Sequence, residues 1–281
     1  MREQDIVTAC LDEGEKLEWI AARSSVIGTR AYQQDTTFLY EGEKGVLAVV
    51  CDGMGGMDGG EKASYEAAKQ LAKDFFAADD IADVPSFLRE EAIYINRQVS
   101  ELTNDDGDKL NCGTTMVAVI IQKGKLYWLS VGDSRIYFYR NGQMAVLTRD
   151  HNYHLILNER LKKAEITEED YRREADKGEA LISYLGIESL KLMDISMVPI
   201  ALEPGDKVLL CSDGLYKSLT EQQIIFLMKQ YEHQTQELAM VLTETATAQA
   251  QRGQDNTSVI VVTYLGGKEK YETLSELHEG V

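Results

Sequence analysis

Hydrophobic positions along the chain fall into two alternating textures, short strand-like runs and longer helical stripes. Residues 19–27 and 36–40 are rich in apolar and β-forming side chains. Residues 46–51 form an unbroken apolar run, short enough for a strand covered on both faces. Ala63, Ala67, Leu71 and Phe75 recur four apart, the spacing of one helix face, and Leu88, Ala92, Ile95, Val99 and Leu102 trace a second stripe behind Pro85 and Ser86. Strand texture returns at 114–122, 125–131, 136–140 and 144–147, with Lys123-Gly124 and the hairpin dipeptide Asn141-Gly142 as turns.

From 152 to 179 the alternation lapses into a highly charged helical stretch, where Thr167 leads Glu168, Glu169 and Asp170 as a helix start. This stretch reads as an excursion from the core. Strands resume at 190–200 and 208–211. Thr220 and Gln223 make a capping-box pattern ahead of Ile224, Leu227 and Met228, and a further helix carries Leu238, Val241 and Leu242. The last strand is 257–264. Strand clusters on both sides of a helix pair predict an α+β sandwich rather than a doubly wound parallel fold. The expected organisation is one domain over 1–265 and a polar tail over 266–281.

With 44% hydrophobic residues in 281, the chain has material for a large core. Its net charge of −18 disfavours a phosphate-backbone partner, so no nucleic acid is expected. No apolar run approaches a membrane span, and residues 1–20 are too acidic for a signal peptide, so a cytoplasmic location is expected. Cys10, Cys51, Cys112 and Cys211 lie far apart without zinc-type spacing, and Cys51 and Cys211 read as small buried residues.

Candidate chemistry sits at strand ends. Asp52, Asp133 and Asp213 each follow an apolar run, and Asp255 precedes one. An aspartate beside a strand is ordinarily a turn former. Four of them, flanked by glycine or asparagine, suggest an all-oxygen cluster suited to Mg²⁺ or Mn²⁺. The glycines of Asp52-Gly53-Met54-Gly55-Gly56 would let backbone approach a cation closely, and no G-x-G-x-x-G or Walker sequence supports a nucleotide loop instead.

In order, Arg30-x-x-Gln33-Gln34-Asp35, Asp52-Gly53-Met54-Gly55-Gly56, Gly113-Thr114-Thr115, Val131-Gly132-Asp133-Ser134-Arg135, Asp150-His151, Ser212-Asp213-Gly214 and Asp255-Asn256-Thr257-Ser258 resemble the type 2C (PPM) metal-dependent Ser/Thr protein phosphatases, in particular their bacterial branch. The resemblance implies a four-layer α-β-β-α sandwich with two Mn²⁺ or Mg²⁺ ions at one end. It implies Asp52 as the bridging ligand, Asp213 and Asp255 on one ion, the Gly53 carbonyl on the other, and Asp35 acting through water. Asp133, with Asp213, would form a third-metal position, and Arg30 would hold the substrate phosphate. The activity implied is hydrolysis of phosphoserine and phosphothreonine in proteins, including the substrates of a Ser/Thr kinase, by a metal-activated water. A small phosphate-ester hydrolase and a catalytically silent phosphoprotein-binding relative are the alternatives. Two departures stand out: Met54 replaces a histidine proposed in some members as the acid, and Gln33-Gln34 replaces the frequent Asn-Glu. His151 reads as a packing residue in preference to a base, and residues 152–179 correspond to the family's flap.

Overall fold

A computed structural model of the chain describes residues 18–56, 59–249 and 253–266. Residues 1–17 and 267–281 fall outside it, and with them most of the N-terminal segment and all but the first residue of the expected tail. The strands are β1 (Trp19–Val26), β2 (Asp35–Gly42) and β3 (Gly45–Gly55), followed by helices α1 (Gly59–Ala77) and α2 (Val84–Ser100). Next come β4 (Cys112–Thr114), β5 (Met116–Gln122), β6 (Lys125–Val131), β7 (Arg135–Arg140) and β8 (Gln143–Val146). Helices α3 (Tyr153–Lys162) and α4 (Glu168–Glu174) form the excursion. The chain then runs through β9 (Asp194–Ile195), β10 (Ile200–Ala201), β11 (Lys207–Cys211), α5 (Asp213–Tyr216), α6 (Glu221–Gln230), α7 (Thr235–Gln249) and β12 (Thr257–Tyr264).

Two antiparallel sheets result. One has the order β1-β12-β11-β7-β8; the other runs β10-β6-β5-β3-β2, with β4 added to β3 and β9 to β6. Alternation along each strand explains the layers. In β3, Val46, Ala48 and Val50 face the opposite sheet, where they meet Val208, Leu210, Ile260 and Val262. Leu47, Val49 and Cys51 face the other way, onto Ala67, Leu71, Phe75 and Leu88 of α1 and α2. Leu209, Cys211, Val259 and Val261 are likewise covered by Ile224, Leu238 and Leu242 of α6 and α7. A strand covered on both faces must be apolar throughout, which is why 46–51 shows no polar break. Each fully buried valine or leucine there contributes about 1.5–3 kcal/mol. The architecture is the expected α-β-β-α sandwich, with Cys51 and Cys211 buried as read from sequence.

Several boundaries differ from the sequence reading. Helix α2 begins two residues before Ser86, because Asp83 caps it by accepting from the Ser86 amide. The strand at 46–51 continues through Asp52 to Gly55, since Gly53, Met54 and Gly55 pair with Thr114, Gly113 and Cys112 of β4. Glycine-rich sequence suggested a loop there; a partner strand distant in sequence makes it a strand. The segment 190–200 contains only the two short pairings of β9 and β10. Both capping boxes are present, Thr167 with Asp170 and Thr220 with Gln223. Among the described residues no helix is long and apolar enough to cross a membrane.

Candidate metal centre

Register places the first two carboxylates side by side. Asp35 at the start of β2 pairs directly with Asp52 in β3. The Asp52 backbone is fixed from behind: its amide donates to Thr115 Oγ1 at 3.0 Å, and its carbonyl accepts from the Thr115 amide at 2.8 Å and from Thr114 Oγ1 at 2.9 Å. Thr115 Oγ1 is in turn 2.7 Å from Ser134 Oγ, beside Asp133. Gly53 leaves no room for a side chain, because a Cβ there would stand 2.0 Å from the Gly60 carbonyl oxygen.

The second sheet brings its carboxylates to the same end. Asp213 opens the one-turn helix α5 directly after β11, and Asp255 lies two residues before β12. Ser212 Oγ crosses between the sheets to donate to Asp35 Oδ2 at 2.7 Å, and itself accepts from the Ser258 amide. Asn256 fastens the loop that carries Arg30: its Oδ1 accepts from the Gln34 amide at 2.8 Å, while Nδ2 donates to the carbonyls of Ile27 and Tyr32. Asp133 stands on the loop between β6 and β7, where Tyr216 Oη donates to its carbonyl at 3.0 Å. The Arg135 guanidinium, paired with Asp150 through two bonds of 2.9 and 2.6 Å, lies 3.6 Å over the Tyr216 ring.

Electrostatics mark the five carboxylates as a cluster. Burial pushes Asp52 well above the ordinary carboxylate range, and Asp35, Asp213, Asp133 and Asp255 push it further. Asp35 is raised to about 7, chiefly by burial, although the Ser212 hydroxyl pulls it back. Asp133 rises to about 6 from burial and the nearby Asp213, with Lys217 opposing. Two oxygens, Asp35 Oδ1 and Asp213 Oδ1, are buried without a hydrogen-bond partner. Buried acceptors left unpaired are costly, and a carboxylate cluster without its counter-charge is unstable. An all-oxygen donor set with orphaned oxygens fits divalent Mg²⁺ or Mn²⁺. Among the described residues, no three acidic, histidine or cysteine side chains are already closed around one point. Instead Arg30 reaches Asp255 at 2.5 Å and Lys217 reaches Asp213 at 2.6 Å.

Sequence reasoning named the carboxylates and Arg30 but gave no role to Lys217, Tyr216 or Ser212. Lys217 was signalled only by its i,i+4 spacing from Asp213, which has meaning once that segment is known to be helical. His151 is fully buried. Its Nδ1 accepts from the Gly132 amide at 3.1 Å and its Nε2 lies 3.4 Å from Asp194, so it packs beneath the Asp133 loop. Burial opposes the Asp194 charge, but His151 and Arg149 outweigh it and hold that carboxyl below the usual range. The excursion is rooted at the same place: the His151 amide donates to the Gly132 carbonyl, Asn152 bridges Leu181, and Glu179 reaches within 3.5 Å of Lys217 Nζ.

Comparison with known proteins agrees with this fold. The family model described as Protein phosphatase 2C matches residues 24–252. The serine/threonine phosphatase stp of Listeria welshimeri is 30% identical over 237 residues, covering 83% of this chain and 90% of that protein. The solved serine/threonine phosphatase of S. agalactiae superposes with a TM-score of 0.73 at 29% identity, covering 88% of this chain and 99% of that one. The catalytic domain of the serine/threonine phosphatase PstP, solved with two manganese ions, gives a TM-score of 0.69 at 26% identity over 88% of this chain and 98% of its own. The chain belongs to the protein phosphatase 2C family of metal-dependent phosphoprotein phosphatases.

Proposed function

We propose that the single domain expected over 1–265 removes phosphate from phosphoserine and phosphothreonine in proteins, with Mn²⁺ or Mg²⁺ as cofactor. Asp52 would bridge two ions, Asp213 and Asp255 would complete one, and the Gly53 carbonyl would serve the other with Asp35 acting through water. Asp133 with Asp213 would hold a third. The observation that carries this reading is the pair of orphaned buried oxygens, Asp35 Oδ1 and Asp213 Oδ1, within a cluster of five carboxylates.

Two bound cations supply a water acidified toward neutrality and positive charge for the phosphoryl oxygens. The chain's own residues do the rest. Arg30 is exposed, and its planar fork suits two oxygens of a phosphate. It is held meanwhile by Asp255, one member of the carboxylate cluster. Ser212 bonds the Asp35 carboxylate, Thr115 fixes the Asp52 backbone, and Asn256 holds the loop that carries Arg30. Met54 has no proton to donate, and buried His151 cannot reach a substrate, so the leaving oxygen takes its proton from water. The net charge of −18 disfavours nucleic acid as substrate. Phosphoproteins made by a Ser/Thr kinase, in a cytoplasmic signalling setting, are the partners this chemistry suits.

The test is phosphate release from a phosphothreonine peptide beside an aryl phosphate, with Mn²⁺, for the natural chain and Asp213→Asn. Hydrolysis of the peptide, lost in the variant, is expected. Aryl phosphate hydrolysis alone would replace the protein substrate by a small ester, and no hydrolysis of either would overturn the reading.

A further inference from the structure

Lys217 occupies a place that cation binding by the carboxylates does not call for. It follows α5 directly, four residues after Asp213, so its side chain folds back along one helix face. Its ammonium donates to Asp213 Oδ2 at 2.6 Å, while Asp213 Oδ1 stays buried and unpartnered. On its other side, Glu179 at the end of the helical excursion lies 3.5 Å away. Glu179 also lies 3.5 Å from His154 Nε2, which links it to α3. One lysine therefore stands between the carboxylate cluster and the excursion, with an anion on each side.

A divalent cation taken up by Asp213 would repel an ammonium already resting on that carboxylate. At close range this repulsion persists even at a screened, partly exposed site. The same charge gives Lys217 a second anchor, because Glu179 is within reach without backbone movement. We propose that Lys217 is a positioning residue that exchanges partners: it neutralises Asp213 in the metal-free chain and turns to Glu179 when the centre takes its cations. Occupancy of the centre is thereby passed to residues 153–180. This rests on the reading of Asp213 as a metal ligand.

Mn²⁺ binding by calorimetry, together with amide exchange across 168–179, tests the exchange without recourse to activity. Lys217→Gln should bind Mn²⁺ on the order of five- to tenfold more tightly, because the competing charge is gone. Lys217→Arg should restore the natural affinity. A merely structural role would weaken binding in Lys217→Gln, not strengthen it. In the natural chain Mn²⁺ should slow exchange across 168–179, and Glu179→Gln, at an exposed position, should abolish that response. Unchanged or weaker binding by Lys217→Gln, or an exchange response that survives Glu179→Gln, overturns the inference while leaving the metal reading intact. If the natural chain shows no saturable Mn²⁺ binding, both fall.

Discussion

The carboxylate end of the sandwich and the helical excursion share a root, the bond from the His151 amide to the Gly132 carbonyl, and are built by opposite rules. At the carboxylate end the acidic groups crowd together on rigid supports: paired strands beneath Asp35 and Asp52, and hydroxyl and amide side chains from both sheets behind them. In the excursion several charges have local partners. Thr167 and Asp170 cap α4, Arg173 pairs with Asp170, Tyr153 donates to Glu174, and of the residues in α3 and α4 only Leu157 is buried. Repulsion is retained where the backbone cannot yield and a cation can relieve it. It is neutralised where the structure has few contacts to resist it.

The comparison can be broken most severely at Asp52. Asp52→Asn should lower kcat on the phosphothreonine peptide by at least about 10²–10³-fold, as removal of a central charge stabiliser does. The same change should raise the melting temperature of the metal-free chain at neutral pH, because a buried carboxyl whose ionisation folding opposes is gone. A variant that loses both activity and metal-free stability would contradict the picture of stored repulsion. A smaller effect is expected at Ser212→Ala, which takes a donor from Asp35: on the order of 10–100-fold in Mn²⁺ affinity or activity, read by calorimetry and steady-state rates.

Acidity sharpens the contrast. Asp35 is raised from 3.8 to about 7 and Asp133 to about 6 without metal, so the folded chain holds protons that the unfolded chain releases. The sign follows from linkage: their contribution to metal-free stability is full below about pH 4 and is lost as pH rises through 6 to 7. Scanning fluorimetry should show the metal-free melting temperature falling from about pH 4 to 7, and the stabilisation by Mn²⁺ growing over the same window. The gentlest probe lies in the excursion. Thr167→Ala removes a cap worth about 0.5–2 kcal/mol locally, so amide exchange should quicken across Glu168–Glu174 with melting and Mn²⁺ binding unchanged.

Much of this fold was legible because its signals are local. The unbroken run at 46–51 announced a strand covered twice, Thr220 and Gln223 announced the start of α6, and Asn141-Gly142 announced the β7–β8 hairpin. What escaped depends on partners far along the chain. Asp52 lies inside a strand because β4, some sixty residues later, pairs with its glycines. The chemistry of the aspartates could be named from their motifs, but their union required the β2–β3 register and the Ser212 bond between sheets. Lys217 and Tyr216 escaped because a single helical turn after β11 leaves no periodicity to read.

The most direct test is a Mn²⁺ titration followed by electron paramagnetic resonance, comparing the natural chain with Asp52→Asn at neutral pH. Saturable binding of at least two ions per natural chain, with one or both lost in the variant, is the predicted result. Identical binding by the two chains, or none by either, would contradict a metal centre built on Asp52.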